Sequence, residues 1–197
     1  MPSNVPPLAK VILIGGASGC GKSRLAEQSG LPLLRLDDFY RSGDDPALPR
    51  LSSGQVDWDH PGSWHQDRAL AALDELARTG RTEVPIYDIA ANGPVGVRTL
   101  ELGAHRRFVA EGVFVAEVVE QARRRGILAD AVSVNRSRWI TMVLRFVRDV
   151  REHRKPVPFL IRRGMMLARR EPGIVAHLRS TGFRPVSVRG IRRLLSV

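Results

Sequence analysis

The stretch Lys10–Gln28, KVILIGGASGCGKSRLAEQ, limits what this chain can fold into more than any other. An unbroken apolar run, Val11 to Ile14, is short enough for one buried strand. Ser23 to Gln28 contains no Gly or Pro and reads as helix. Between them stand Gly16, Ala17, Ser18, Gly19, Cys20, Gly21, Lys22 and Ser23, a complete G-x-x-x-x-G-K-S. Glycines at these places let successive backbone N–H groups turn inward on an anion. Lys22 then reaches the outer phosphates as a point charge, and the Ser23 hydroxyl can ligate Mg²⁺. A glycine-rich turn with an incidental Lys-Ser would not need a strand before it and a helix after it. The context therefore implies nucleotide phosphates bound over residues 16–23.

A length of 197 residues suits one well-buried domain over 1–197, and the three prolines of Met1–Leu8 suit a flexible lead-in. The single cysteine, Cys20, excludes a disulfide framework and a multi-cysteine metal site; within the loop it reads as a small filler. No apolar run approaches a membrane span and no basic-then-apolar leader opens the chain, so the expectation is a cytoplasmic protein with no membrane partner. The net charge of +11 is uneven: from Glu120 onward there are 19 basic and 5 acidic residues, against 12 and 15 before it. Of the 31 basic residues 28 are arginines, spread through helical segments without a recognition motif. A solvated Arg-biased surface is expected there, and not a nucleic-acid partner.

Along the chain, Leu31–Leu36 reads as a second strand ending in Asp37-Asp38-Phe39-Tyr40, and Arg41–Asp57 as a long loop. A helix is expected from an N-cap at Ser63 to Thr79, closed by Gly80. Glu83–Asp88 reads as a short extended piece before a turn at Asn92-Gly93-Pro94. Arg107–Val115 contains a strand interrupted by Glu111-Gly112, and Ala116–Arg125 a helix capped by Gly126. Strands over Ala131–Val134 and Phe183–Val188 flank helices over Arg138–His153, Phe159–Arg170 and from Pro172 to Gly182. Strands alternating with helices imply an α/β fold with a mainly parallel sheet covered on both faces.

Asp37 and Glu111 would then lie toward the carboxyl edge of the sheet, where open α/β folds bind ligands. Phosphoryl transfer to an alcohol needs a carboxylate at the hydroxyl and ligands that hold Mg²⁺ against the phosphates. Asp37 suits the first role and Glu111 the second; a turn or helix cap is the other reading of the Asp37-Asp38 pair.

The ordered set GASGCGKS, DDFY, DWDHP, VPIYD and AEG resembles the uridine kinase family of P-loop nucleoside kinases, kin to phosphoribulokinase and bacterial pantothenate kinase. The match covers Lys10 to Val115 well and the Arg-rich helix more loosely. It implies a P-loop NTPase three-layer fold with five strands ordered 2-3-1-4-5 and a small Arg-bearing lid over about 136–156. It also implies an ATP-dependent kinase with Mg²⁺, phosphorylating an alcohol of a nucleoside or similar metabolite. In that resemblance Asp37 is the base, Tyr40 lines the acceptor pocket and Trp58 packs by the substrate. Asp59 bonds ribose hydroxyls, Tyr87 contacts the nucleoside and Glu111 serves the metal. Arg145 and Arg148 match lid arginines that close over the triphosphate, with a solvated surface as the alternative.

Where those kinases carry a His that contacts the pyrimidine this chain has Asn92, and Ile89 stands in place of an aromatic. Asn92 is the acceptor-side candidate there, but the base-reading groups are weakened, so uridine itself is not implied. The competing class is a regulatory or nucleic-acid-associated P-loop ATPase, favoured by the basic C-terminal half and disfavoured by Asp37 and Asp59. Asn135-Arg136-Ser137-Arg138 lacks the Asp of a guanine-reading N-K-x-D. A homo-oligomer is compatible with the sequence.

Overall fold

The structure is a computed structural model that describes residues 6–137, 140–141 and 172–196. Arg145, Arg148 and the expected helix over Phe159–Arg170 lie outside the described residues, as does that over Arg138–His153 apart from Ile140 and Thr141. Among the described residues the strands are β1 (Lys10–Gly15), β2 (Leu33–Arg35), β3 (Arg81–Asp88), β4 (Gly93–Glu101), β5 (Arg107–Glu111), β6 (Leu128–Asn135) and β7 (Arg184–Ser187). The helices are α1 (Lys22–Glu27), α2 (Gln66–Thr79), α3 (Ala116–Arg124), α4 (172–180) and α5 (Val188–Leu195). Five strands form one mostly parallel sheet in the order β2-β5-β1-β6-β7. Leaving aside the separate β3–β4 pair, this is the expected order 2-3-1-4-5. The chain divides into two compact units, Met1–Leu13 with Leu31–Asp130 and Ile14–Gly30 with Ala131–Val197.

In the first unit β2 and β5 pair in parallel, with Leu33 opposite Val109 and Arg35 opposite Glu111. Leu34, Phe108, Val109 and Ala110 are fully buried, as a strand covered on both faces requires. α2 buries Ala69, Leu70, Leu73, Leu76 and Ala77, a stripe at helical spacing, and packs against α3. Arg78 ties the two helices: it pairs with Asp74 at 3.0 Å and donates to the Arg125 carbonyl at 2.9 Å. Gly80 closes α2 in the left-handed conformation, φ 80°.

In the second unit β6 and β7 pair in parallel, Val132 with Arg184 and Asn135 with Ser187. α5 packs on α1, burying Ile191 and Leu195 while Arg189, Arg192 and Arg193 stay exposed. The Ser187 hydroxyl caps α5 by accepting the Gly190 N–H at 3.2 Å.

Three local expectations are corrected. α2 begins at Gln66, after a 3₁₀ turn over Pro61–Ser63, and Ser63 is not its cap. Its hydroxyl instead donates to the carbonyls of His60 (2.7 Å) and Trp58 (3.2 Å), while Trp64 stays extended to bridge with Tyr40. The second strand ends at Arg35, and Asp37 and Asp38 sit on a 3₁₀ turn, Leu36–Phe39. Finally, Gly93–Glu101 is a nine-residue strand, not merely the exit of a turn. Its Val95 and Val97 are exposed, so it lacks the buried alternation that marks a strand in sequence.

Candidate active site

The second unit carries the phosphate loop between β1 and α1. Gly16 and Gly21 have φ of 146° and 94°, values that side chains other than glycine rarely adopt. A methyl on Gly16 would also lie 2.8 Å from Cys20 Sγ and 3.5 Å from Val134 Cβ. Cys20 is buried behind the loop, as its reading as a filler requires. Ser18 is exposed, Ser23 half-buried, and Lys22 only 6% exposed. A lysine is rarely held so deep without partners for its charge.

The first unit assembles carboxylates and aromatic rings. The register Arg35–Glu111 brings the Asp37 turn against the Glu111-Gly112-Val113 segment that leaves β5. Asp37 Oδ1 accepts the Val113 N–H at 2.8 Å. A methyl on Gly112 would stand 2.7 Å from that same oxygen and 2.8 Å from Leu36 Cβ, so the close approach depends on glycine. Glu111, 4% exposed, is a carboxylate whose burial is costly unless partners or a cation hold it. Asp38 faces elsewhere and pairs with Arg98 of β4 at 3.7 Å. Burial pushes its carboxyl above the usual range, against the pull of Arg98 and Arg35.

Tyr40 is the hub of the aromatic wall. Its ring lies 5.7 Å from Phe114, 5.9 Å from Trp58 and 6.0 Å from Tyr87, the first two edge-on. Its hydroxyl donates to the Trp58 carbonyl at 3.4 Å. Burial, with the Asp37 and Asp59 charges behind it, pushes the phenol well up and keeps it a neutral donor. Tyr87 donates to the Arg41 carbonyl at 3.4 Å, and burial raises it too. Asp59 is exposed, with its N–H donating to Asp57 Oδ1 at 3.1 Å.

Asn92 has a different local task. It takes φ 54° in the β3–β4 turn, its carbonyl accepts the Gly43 N–H at 2.7 Å, and its amide lies over Gly43. It thereby ties the hairpin to the loop after Tyr40.

Sequence reasoning missed Phe114, Trp64 and Arg98. Trp64 Nε1 donates to the Leu36 carbonyl at 2.6 Å, anchoring the Asp37 turn, and its ring meets Phe114 at 5.7 Å. No motif in the sequence pointed to them. A cavity of about 430 Å³ opens on the Asp38 side of the turn, lined by Asp38, Tyr40, Ser42, His65, Arg68 and Val97 among others. Burial, then the charges of Arg41 and Arg68, lower the His65 pKa there. Among the described residues no three His, Cys, Asp or Glu side chains form a metal cluster.

No family model matches the chain. A uridine kinase of Clostridium botulinum (strain 657) is 23% identical over 171 residues, spanning 82% of this chain and 80% of that kinase. Inorganic pyrophosphatase TTM2 of Arabidopsis thaliana is 29% identical over 147 residues, 71% of this chain, which spans only 20% of that protein. Among solved structures, a "putative fructose transport system kinase" from Silicibacter sp. TM1040 superposes with a TM-score of 0.62 at 15% identity. The match covers 95% of this chain and 92% of that one, and it shows the fold.

Proposed function

We infer that this uridine kinase-like P-loop chain is an ATP-dependent small-molecule kinase, moving a phosphoryl group from ATP to an alcohol of a metabolite. The observation that carries the reading is Asp37. A half-buried carboxylate is held through one oxygen by the Val113 N–H, beside a wall of Tyr40, Trp58 and Tyr87. Such a carboxylate accepts the proton of a hydroxyl as its oxygen attacks phosphorus, and a neutral Tyr40 lines the acceptor pocket without competing for that proton.

In the same reading, Gly16 to Ser23 bind the triphosphate, with Lys22 on the outer phosphates. Trp58, Asp59 and Tyr87 receive the acceptor, and Asn92 shapes its entrance through the hairpin turn. Arg145 and Arg148, outside the described residues, keep the phosphate-contacting role that the resemblance implies. The oxygen donors of Ser23 and Glu111 fit a hard cation such as Mg²⁺. Phosphate oxygens and water would complete its shell. Bound Mg²⁺ neutralises charge on the transferring phosphoryl group.

The chain is read as one kinase domain in the cytoplasm. Among the described residues no helix is long and apolar enough to cross a membrane. The test is ATP consumption against a panel of nucleosides and sugar alcohols, with the phosphorylated product identified. One acceptor phosphorylated by the wild type and not by Asp37→Asn is expected; consumption driven only by DNA or RNA would favour the ATPase reading.

A further inference from the structure

The end of β6 runs beside the phosphate loop at two points. Val134 Cβ lies 3.5 Å from where a methyl on Gly16 would stand, at the start of the motif. Two residues on, Arg136 Nη1 lies 3.4 Å from the corresponding position on Gly21 and Cζ 4.0 Å, at the motif's end. Residues two apart on an extended chain point the same way, so Val134 and Arg136 present one face to the loop. Val134 fills space there; Arg136 brings a guanidinium to the residue preceding Lys22. Arg136 is half-exposed, and among the described residues no ion pair to a carboxylate is recorded for it.

A guanidinium held against the end of the loop is drawn to any anion that fills it. The planar fork of a guanidinium matches two phosphate oxygens at once, which an ammonium cannot do. We propose that Arg136 is a phosphate-binding residue of the nucleotide site, clamping the phosphate chain from the β6 side of the loop. This rests on the kinase reading above for the identity of the nucleotide. It assigns a role to a side chain that none of the five motifs carrying the family resemblance contains. It also gives one of the basic residues of the C-terminal half a function other than nucleic-acid binding.

The test is calorimetric titration of the full chain with a non-hydrolysable ATP analogue and with inorganic tripolyphosphate, each with Mg²⁺. Arg136→Gln is expected to weaken both ligands alike, by roughly 10- to 100-fold, the range of a charged hydrogen-bond pair. Arg136→Lys should restore part of the loss, since it returns charge without the fork. Arg189→Gln removes the same charge from an exposed site on α5 and should change neither affinity. Loss of the ATP analogue alone, with tripolyphosphate unaffected, would mean that Arg136 touches the base or sugar and would overturn the proposal. So would unchanged affinity in Arg136→Gln when Lys22→Ala is weakened. If the wild-type chain binds neither ligand, the kinase reading fails, and the role of Arg136 with it.

Discussion

Asp37 leaves the main chain from a 3₁₀ turn and is gripped by Val113 N–H, which sharpens what a substitution there measures. Asp37→Asn keeps an oxygen for that N–H and removes the charge and the basicity. Turnover with the true acceptor should fall by roughly 10²- to 10⁴-fold, with affinity for an ATP analogue intact, as steady-state kinetics beside calorimetry will read. A turn-capping role alone would leave turnover near wild type. Gly112→Ala pushes a methyl into Asp37 Oδ1 and Leu36 Cβ. It should cost about 1–3 kcal/mol in chemical denaturation and lower turnover by displacing the Asp37 carboxylate. Asp38 behaves in the opposite sense to a stabilising carboxylate. Its folded pKa is raised by burial, so its contribution to stability is full below the unfolded pKa and is lost as pH rises through the folded one. Asp38→Asn should therefore unfold at higher denaturant than wild type near neutrality, with the gap closing as pH falls through the carboxylate range. A gap that widens in acid would mean that the Arg98 pair outweighs the burial.

The elements that hold these residues are fastened by a few long-range bonds. Trp64 links the start of α2 to the Asp37 turn through a 2.6 Å bond to the Leu36 carbonyl. Trp64→Phe keeps most of the ring and strands that buried carbonyl, a loss of about 1–3 kcal/mol in denaturant unfolding. Turnover should fall with it if the turn shifts. The β3–β4 hairpin is fastened by Asn92 on Gly43, Tyr87 on Arg41 and Arg98 on Asp38. Its register slips at Ile86/Tyr87, where Val95 has no partner opposite, and such slips bend a strand. β4 escaped recognition because its exposed valines leave no half-buried period to read. The start of α2 was misjudged because Ser63 finds acceptors in the preceding turn, a competition that local capping rules do not include.

For the whole molecule, ligand linkage gives a measurement that needs no acceptor. An ATP analogue at 100 times its dissociation constant should stabilise the chain by about 2.7 kcal/mol and raise its melting temperature. Lys22→Ala, losing about 2–3 kcal/mol of charged contact to phosphate, should abolish most of that shift at the same concentration. A full shift in the variant would remove Lys22 from the phosphates.

Much at this scale was legible in the chain itself. A glycine pattern bounded by an apolar run and a helix former has few ways to fold, and so the phosphate loop could be read from Lys10–Gln28 alone. The alternation of strands and helices likewise implied a mainly parallel sheet, while its strand order came from the resemblance to the uridine kinase family. What the sequence left open depended on contacts between distant residues. That Gly112 admits Asp37, that Phe114 and Trp64 complete the wall around Tyr40, that Asn92 secures a hairpin, and that Arg136 lies over Gly21 are matters of register and close approach. Periodicity along a chain reports which face of an element is buried. Only the packed tertiary structure decides which side chain, tens of residues away, fills the space opposite.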